Sequence, residues 1–345
     1  MDRARMRVQY LVRVGETELR EVAIPQPSAG EVLARVNLAL TCGTDLKMLE
    51  RGHARLPSGP FGHEWAGRVA AVGEGVRDFE TGDRIVATPT APCGDCVYCL
   101  KREESLCLHL FEDVALGAYG EYLLLPRHIV RRNAFRIPEA VSDAQAAVLE
   151  PLACVVHGAG RVDLSGDRTV VFLGDGPITL LFLQVARVGG AGRTIVIGRH
   201  PRRLEAARVL GADAVIDSRE SDPRSAVEAL TDGLGADTVV ECVGRPEAWH
   251  EALALARRGG EVLFFGGCEK DATVSFQTER IHYDEIDVKG AFHYTPATVR
   301  RAWDLICGGA IDAHPLITHR RPLDDLTGAF DLVRRRAAVK VAIVP

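Results

Sequence analysis

The sequence has no apolar run long enough to cross a membrane as a helix. Its richest apolar stretch, 170–186, is broken by Gly174, Asp175, Gly176, Pro177 and Gln184, whereas a spanning helix needs about 20 mostly apolar residues. It has little that resembles a secretory leader. Four arginines lie in the first 13 residues, but the only apolar run there, 8–12, is interrupted by Gln9, and a leader needs an apolar region of about 7–15 residues. A cytoplasmic protein is expected. A basic excess is also missing. With 42 Lys and Arg against 47 Asp and Glu, the net charge is −5, which argues against a nucleic-acid partner. Repeats, low-complexity tracts and long linkers are absent. Nine cysteines in 345 residues are too sparse for a small-domain disulfide framework. In a reducing compartment, clustered cysteines point instead to metal or catalysis.

What is present is a soluble, globular composition. Apolar residues make up 47% and charged residues 26%, so there is enough apolar surface to bury and disorder is excluded. The length predicts two domains. The chain changes character near residue 150. Before it, short β-type runs at Val32–Leu40, 66–72, Arg84–Ala87 and 120–125 are separated by Gly, Pro and Asp, the pattern of a β-rich domain. After it, strands and helices alternate. Strands are expected at 169–174, 193–198, 214–216, 237–242 and 261–265, and helices at 178–188, 201–210, 223–231 and 246–257. Continuous apolar runs alternating with helices imply βαβ units around a parallel sheet. The last 50 or so residues are less regular and are expected to pack back on the first domain.

Cys93, Cys96, Cys99 and Cys107 form a C-x2-C-x2-C-x7-C cluster, with Pro92 and Gly94 among them. Short spacings let one loop supply four thiolates to a tetrahedral zinc, and such a closed site has no position for substrate. Its expected role is structural. An iron–sulfur cluster also takes four thiolates, and by itself the loop would equally suit a zinc ribbon in a binding protein.

A second set of potential ligands is dispersed. Cys42 lies in Thr41-Cys42-Gly43-Thr44-Asp45, His63 and Glu64 in Gly62-His63-Glu64-Trp65-Ala66-Gly67, and Glu150 directly before Pro151. Singly, Cys42 reads as a small core residue, His63 as a loop histidine and Glu150 as a helix N-terminal acid. Together they offer one thiolate, one imidazole and one or two carboxylates, a set that suits a catalytic zinc with room for substrate.

Gly174-Asp175-Gly176-Pro177-Ile178-Thr179 follows an apolar strand and opens a helix. It matches the G-x-G-x-x-G dinucleotide fingerprint except at the last position, where Thr179 should affect packing more than phosphate contact. The next strand ends in Ile197-Gly198-Arg199-His200-Pro201. Binders of NAD usually carry an acid here for the ribose 2′-OH. Gly198 and Arg199 at this point, with Arg202 and Arg203 behind them, favour NADP; a solvated arginine is the alternative.

These segments, with Glu150-Pro151-Leu152 and Glu241-Cys242-Val243-Gly244, resemble in order and spacing the zinc-containing medium-chain dehydrogenase/reductase family. The resemblance covers nearly the whole chain and is closest to the polyol and threonine dehydrogenase branch. It implies an α/β protein, with a GroES-like β-rich catalytic domain at 1–154 and 293–345 and a Rossmann doubly wound parallel sheet at 155–292. A structural-zinc lobe would occupy about 91–110. By the same resemblance, Cys42, His63 and Glu150 hold the catalytic zinc, and Glu64 is a fourth or exchanging ligand. Cys93, Cys96, Cys99 and Cys107 hold the structural zinc. Gly174, Asp175, Gly176, Pro177, Ile178, Gly198, Arg199, His200, Arg203, Cys242 and Val243 line the cofactor. Thr44 is placed to receive the substrate hydroxyl proton. Relatives often have histidine at position 47 to pass it on; Lys47 stands there, leaving Lys47, water or Glu64 as the way out.

The expected activity is hydride transfer between a secondary alcohol (polyol, sugar, cyclitol or amino-alcohol) and NADP, giving a ketone. An NAD-dependent L-threonine dehydrogenase-like enzyme and a non-catalytic zinc and nucleotide binder are the alternatives. A homodimer or homotetramer is implied, formed through the last Rossmann strand near 287–291, an open edge if unpaired. Cys154, Cys242, Cys268 and Cys307 are expected as small core or strand-end residues, and residues 334–336 as a solvated helix face. His157 and His293 are expected to be structural, though His293 lies where it might flank the nicotinamide. Trp65 is expected either in packing or in a substrate pocket.

Overall fold

The computed structural model describes residues 4–52 and 58–345. It divides into two compact units. One comprises Met1–Ala153, Tyr294–Gly309 and Ile317–Pro345, and the other Cys154–His293 and Ala310–Leu316.

The second unit is built on a six-stranded sheet in which every neighbouring pair is parallel. In spatial order its strands are Ala214–Asp217, Ala191–Gly198, Gly166–Leu173, Ala236–Glu241, Ala256–Phe264 and Asp287–Gly290. Numbered along the chain this is 3-2-1-4-5-6, the Rossmann order, whose topological switch lies between the first and fourth strands. Helices Pro177–Val188, Pro201–Val209, Pro223–Leu230 and Pro246–Leu255 connect the strands. Each carries proline in its first turn, where the missing N–H would have no intrahelical acceptor anyway. The strand centres are fully buried, as at Val170, Val171 and Phe172, which is why they read as unbroken apolar runs. One boundary differs from expectation. The segment 256–260 belongs to the strand Ala256–Phe264, and the preceding helix stops at Leu255.

The first unit is mainly antiparallel. Its larger sheet runs in the order Ile317–Pro322, Lys340–Val344, Val32–Leu40, Glu64–Val72, Arg84–Ala87 and Ala134–Arg136, and Tyr122–Leu125 also pairs with Val32–Leu40. A smaller sheet holds the hairpin Arg5–Arg13 and Glu16–Ala23 with the short strand Gly59–Pro60. Phe61, Tyr119 and Phe330 meet in the core between these elements, with ring centroids 5.2–6.1 Å apart. The late segments do return to this unit, but they are regular. Pro296–Cys307 is an amphipathic helix that begins with a capping box from Thr295 and Thr298.

The central strand Val32–Leu40 positions the chemistry. At its end, Leu40 faces Glu64 on one neighbour and Ala342 on the other. The chain leaving this strand carries Thr41 and Cys42 into helix Gly43–Arg51. Three sheet segments thus place their polar residues at one point. Close packing is required where two of them cross: a Cβ on Gly67 would lie 2.1 Å from the Arg35 carbonyl oxygen.

Candidate metal and nucleotide sites

The loop after Pro92 gathers its four cysteines. Sulfur–sulfur distances are 3.5 Å for Cys96–Cys99 and Cys107–Cys93, and 3.8 Å for Cys93–Cys99 and Cys96–Cys107. Four sulfurs held tetrahedrally at about 2.3 Å from one ion are about 3.8 Å apart, so the thiols fit a single zinc. The loop also prepares their charge. Backbone N–H groups of Cys99 and Leu108 bring the Cys96 thiol down to about 6, while burial pushes Cys99 up to about 12. Helix Val97–Leu100, started by Cys96, and the short turn Glu104–Leu106 set the spacing.

At the end of the central strand, Cys42 caps helix Gly43–Arg51, its sulfur accepting the Thr44 N–H at 3.4 Å. Ligand atoms of Cys42, His63 and Glu64 lie within 4.8 Å of one another. Glu150, in the first turn of Leu149–Ala159, brings Oε2 to 3.9 Å from His63 Nε2. His63 is oriented from behind: Asp45 Oδ1 stands 2.9 Å from Nδ1, which leaves Nε2 directed at the ligand cluster. Tyr119 donates its single hydroxyl hydrogen to Asp45 Oδ2 at 2.5 Å, and the Leu40 carbonyl lies 3.1 Å from the same oxygen. Burial disfavours the His63 imidazolium, but Asp45 and Cys42 outweigh it and hold its pKa well above the usual value.

Both Glu64 oxygens are engaged by Lys340 Nζ, at 2.7 and 2.5 Å, and the same ammonium donates to the Thr41 carbonyl at 3.1 Å. The Thr41 hydroxyl in turn accepts the Val341 N–H at 2.9 Å. Asp45, Tyr119, Thr41 and Lys340 carry no function in the sequence reading. One signal was available for Lys340, a lone lysine inside the apolar run 337–344. Thr44 and Lys47 are both exposed on the helix, three residues apart and so on one face. Trp65 is buried in the core, which decides for packing over a pocket role.

In the second unit, Gly174 has φ +123° and Gly176 caps helix Pro177–Val188 with open space where a side chain would be. The switch point assembles around this turn. The Cys242 N–H bonds the Leu173 carbonyl at 2.9 Å, and a Cβ on Gly174 would touch Val243 at 3.2 Å. Glu241 shapes the adjoining turn by accepting the N–H groups of Val243 and Gly244 at 2.6 and 2.8 Å. This side-chain-free cradle at a helix N-terminus fits a pyrophosphate. Pro177 and Ile178 open the helix, and Thr179 is wholly buried beneath the turn.

Two side chains differ from expectation at the second strand. Its end is not without a carboxylate: Asp175 reaches across from the glycine turn and accepts the N–H groups of Arg199 and His200, both at 2.9 Å. Arg203 is buried, with Nη1 3.7 Å from Asp175 Oδ1, so Arg199 and Arg202 are the arginines of this segment that reach solvent, and Arg199 is the one next to Gly198.

Against this geometry, two family descriptions match the chain: the alcohol dehydrogenase GroES-like domain over residues 28–138 and the zinc-binding dehydrogenase over 177–307. An L-threonine 3-dehydrogenase of Bacillus velezensis is 33% identical over 95% of both chains. The chain belongs to the zinc-containing medium-chain dehydrogenase/reductase family. A sorbitol dehydrogenase of Bacillus subtilis, 31% identical, covers 99% of this chain and 97% of its own. Among solved structures, a Sinorhizobium meliloti protein named as a zinc-binding dehydrogenase, with NADP bound, superposes with a TM-score of 0.89 at 33% identity, covering 99% of this chain and all of its own. Membership makes the chain a zinc-type dehydrogenase.

The other cysteines of this dehydrogenase correct one expectation. Cys307 ends its helix exposed, and Cys154, Cys242 and Cys268 are half-buried. Residues 334–336 are exposed, but helix Leu326–Arg334 ends at the first of them. His293 is half-buried with φ +62°. No helix among the described residues is long and apolar enough to cross a membrane.

Proposed function

We propose that this protein is an NADP-preferring, two-zinc dehydrogenase that interconverts a secondary alcohol of the polyol, sugar, cyclitol or amino-alcohol class and its ketone. The observation that carries this is the meeting of Cys42, His63 and Glu64 at one strand end, with Glu150 3.9 Å from His63. A thiolate, an imidazole and carboxylates make an open donor set. Cys42, His63 and Glu150 would hold the ion, and Glu64, restrained by Lys340, would be the exchanging carboxylate. Bound there, zinc supplies a Lewis acid that makes a substrate hydroxyl more acidic, and the nicotinamide supplies a hydride acceptor.

The chain's own residues do the rest. Asp45 fixes the His63 tautomer and ring plane, and Tyr119 holds Asp45. The Thr44 hydroxyl would accept the substrate proton as it releases its own to water at the exposed helix face, with Lys47, three residues on, or Glu64 as the other ways out. Gly174 and Gly176 admit the pyrophosphate to helix Pro177–Val188. Arg199 faces the adenosine 2′-phosphate, a reading supported by the NADP-bound relative. The nine free cysteines suit a reducing cytoplasm. Strand Asp287–Gly290, at the sheet edge with Val288 exposed, suits pairing with a second copy in a homodimer or homotetramer.

Calorimetric titration of metal-quantified protein with NADP and NAD in parallel tests the reading, followed by a screen of polyols and cyclitols. Two zinc ions per chain with tighter NADP support it. Tighter NAD moves L-threonine forward, the reading favoured by the Bacillus velezensis relative. One zinc and no nucleotide binding indicate a non-catalytic zinc protein.

A further inference from the structure

Asp175 is an anion already seated where a nucleotide's adenosine ribose is read. Its side chain is more than nine-tenths buried. Oδ2 accepts the Arg199 and His200 N–H groups at 2.9 Å each and lies 2.8 Å from His200 Nδ1. Oδ1 lies 3.1 Å from the same Nδ1 and 3.7 Å from Arg203 Nη1. Two main-chain N–H groups, an imidazole and a guanidinium thus converge on one carboxylate. Such convergence normally makes a seat for an external phosphate. Gly198 is what lets the carboxylate in, since a Cβ there would lie 2.5 Å from that of Asp175.

In a Rossmann unit the end of the second strand faces the ribose 2′ position. A fixed carboxylate there accepts from a 2′-hydroxyl and repels a 2′-phosphate, and this one also occupies the two N–H groups that such a phosphate would use. Exposed Arg199 and Arg202 pull the other way. Resting on the nucleotide-binding reading above, we infer that Asp175 is a specificity-determining residue that holds down the preference for NADP over NAD. The chain carries its own substitute for the 2′-phosphate, supplied by the glycine turn of the neighbouring strand.

The test is calorimetric binding of 2′,5′-ADP and 5′-AMP, with NADP and NAD alongside, to the wild-type protein and to Asp175→Asn. Asparagine keeps the shape and an acceptor for both N–H groups but removes the charge. Its expected effect is a rise of about tenfold or more in the affinity ratio of 2′,5′-ADP to 5′-AMP, the size expected of one nearby partly screened charge. Affinity for 5′-AMP should fall modestly, because its 2′-hydroxyl exchanges a charged acceptor for a neutral one, while affinity for 2′,5′-ADP rises. Asp175→Ala, which also frees the N–H groups, should raise the ratio at least as much and serves if the asparagine variant does not fold. Equal weakening of both ligands, or an unchanged ratio, would mean that Asp175 only braces the loop, and would overturn the inference while leaving the nucleotide reading intact. Wild-type protein that binds neither ligand would overturn both.

Discussion

Lys340 Nζ sits between both carboxylate oxygens of Glu64, and the two side chains are 2% and 0% exposed. Burial works against the ammonium, but Glu64 outweighs it and raises the Lys340 pKa. The pair supplies a counter-charge to an acid that stands beside Cys42 and His63. It also makes a sharp energetic prediction. Removing one partner of a buried ion pair leaves an uncompensated charge, so Lys340→Met should cost about 3–5 kcal/mol in denaturant unfolding. Adding Glu64→Gln should recover much of that loss. An additive double variant would show that the two groups are not coupled.

The metal sites should separate by mutation. Cys42→Ala should lose one zinc per chain and all measurable turnover, while the melting temperature and the loop zinc remain. Cys107→Ser should lose the other zinc and lower the melting temperature. Elemental analysis of both variants checks this. Loss of both metals from Cys42→Ala would break the assignment.

Arg199→Ala should weaken NADP binding by about tenfold or more, the weight of one charge-assisted phosphate contact, and leave NAD nearly unchanged. Isothermal titration with the two cofactors reads the difference. Equal weakening would remove Arg199 from 2′-phosphate recognition.

Tyr119→Phe removes the hydroxyl that anchors Asp45 behind His63. Partners behind a metal ligand typically contribute about 10–100-fold in metal affinity or activity. The expected signature is weaker zinc retention against a chelator at the Cys42 site, with the four-cysteine loop unaffected. Equal chelator sensitivity at both sites would argue against that role.

Asp237 gives a pH prediction in the nucleotide-binding unit. Burial raises its carboxyl, but the Thr169 N–H at 2.7 Å and Arg257 Nε at 2.6 Å outweigh it, and its folded pKa lies below 3.8. A depressed carboxyl stabilises the fold above its unfolded pKa and stops doing so as pH falls through the folded value. Asp237→Asn should therefore be about 1 kcal/mol less stable at pH 7, and its deficit should shrink as pH drops below about 3.8. A deficit independent of pH would contradict the charge argument.

The alternation of strands and helices after residue 150 was legible because the buried part of a parallel strand such as Gly166–Leu173, here Val170, Val171, Phe172 and Leu173, is an unbroken apolar run. The hairpin Arg5–Arg13 and Glu16–Ala23 was not. Every residue of its second strand is half-buried or exposed, so no strong alternation marks it. Ala256 and Arg257 continued a helical pattern, and only pairing with Ala236 reveals a strand. At the candidate site, Cys42, His63, Glu64 and Glu150 could be singled out by residue type and motif. Lys340 could not be given a partner, because Glu64 is 276 residues away and the sheet register alone joins them. Asp175 was visible as part of a glycine turn, but its reach across to Arg199 depends on the missing side chain of Gly198.

The strand Lys340–Val344, paired with Ala39 and Leu40, has a consequence for synthesis. A ribosome delivers Cys42, His63, Glu64 and Glu150 early, then the whole six-stranded sheet, and only afterwards the lysine that neutralises Glu64. Until residue 340 emerges, the nascent first unit has a sheet edge unpaired at Leu40 and an acid with no counter-charge. The acid beside Cys42 and His63 is therefore neutralised across a separation of 276 residues, whereas the four cysteines of the loop lie within 15 residues of one another.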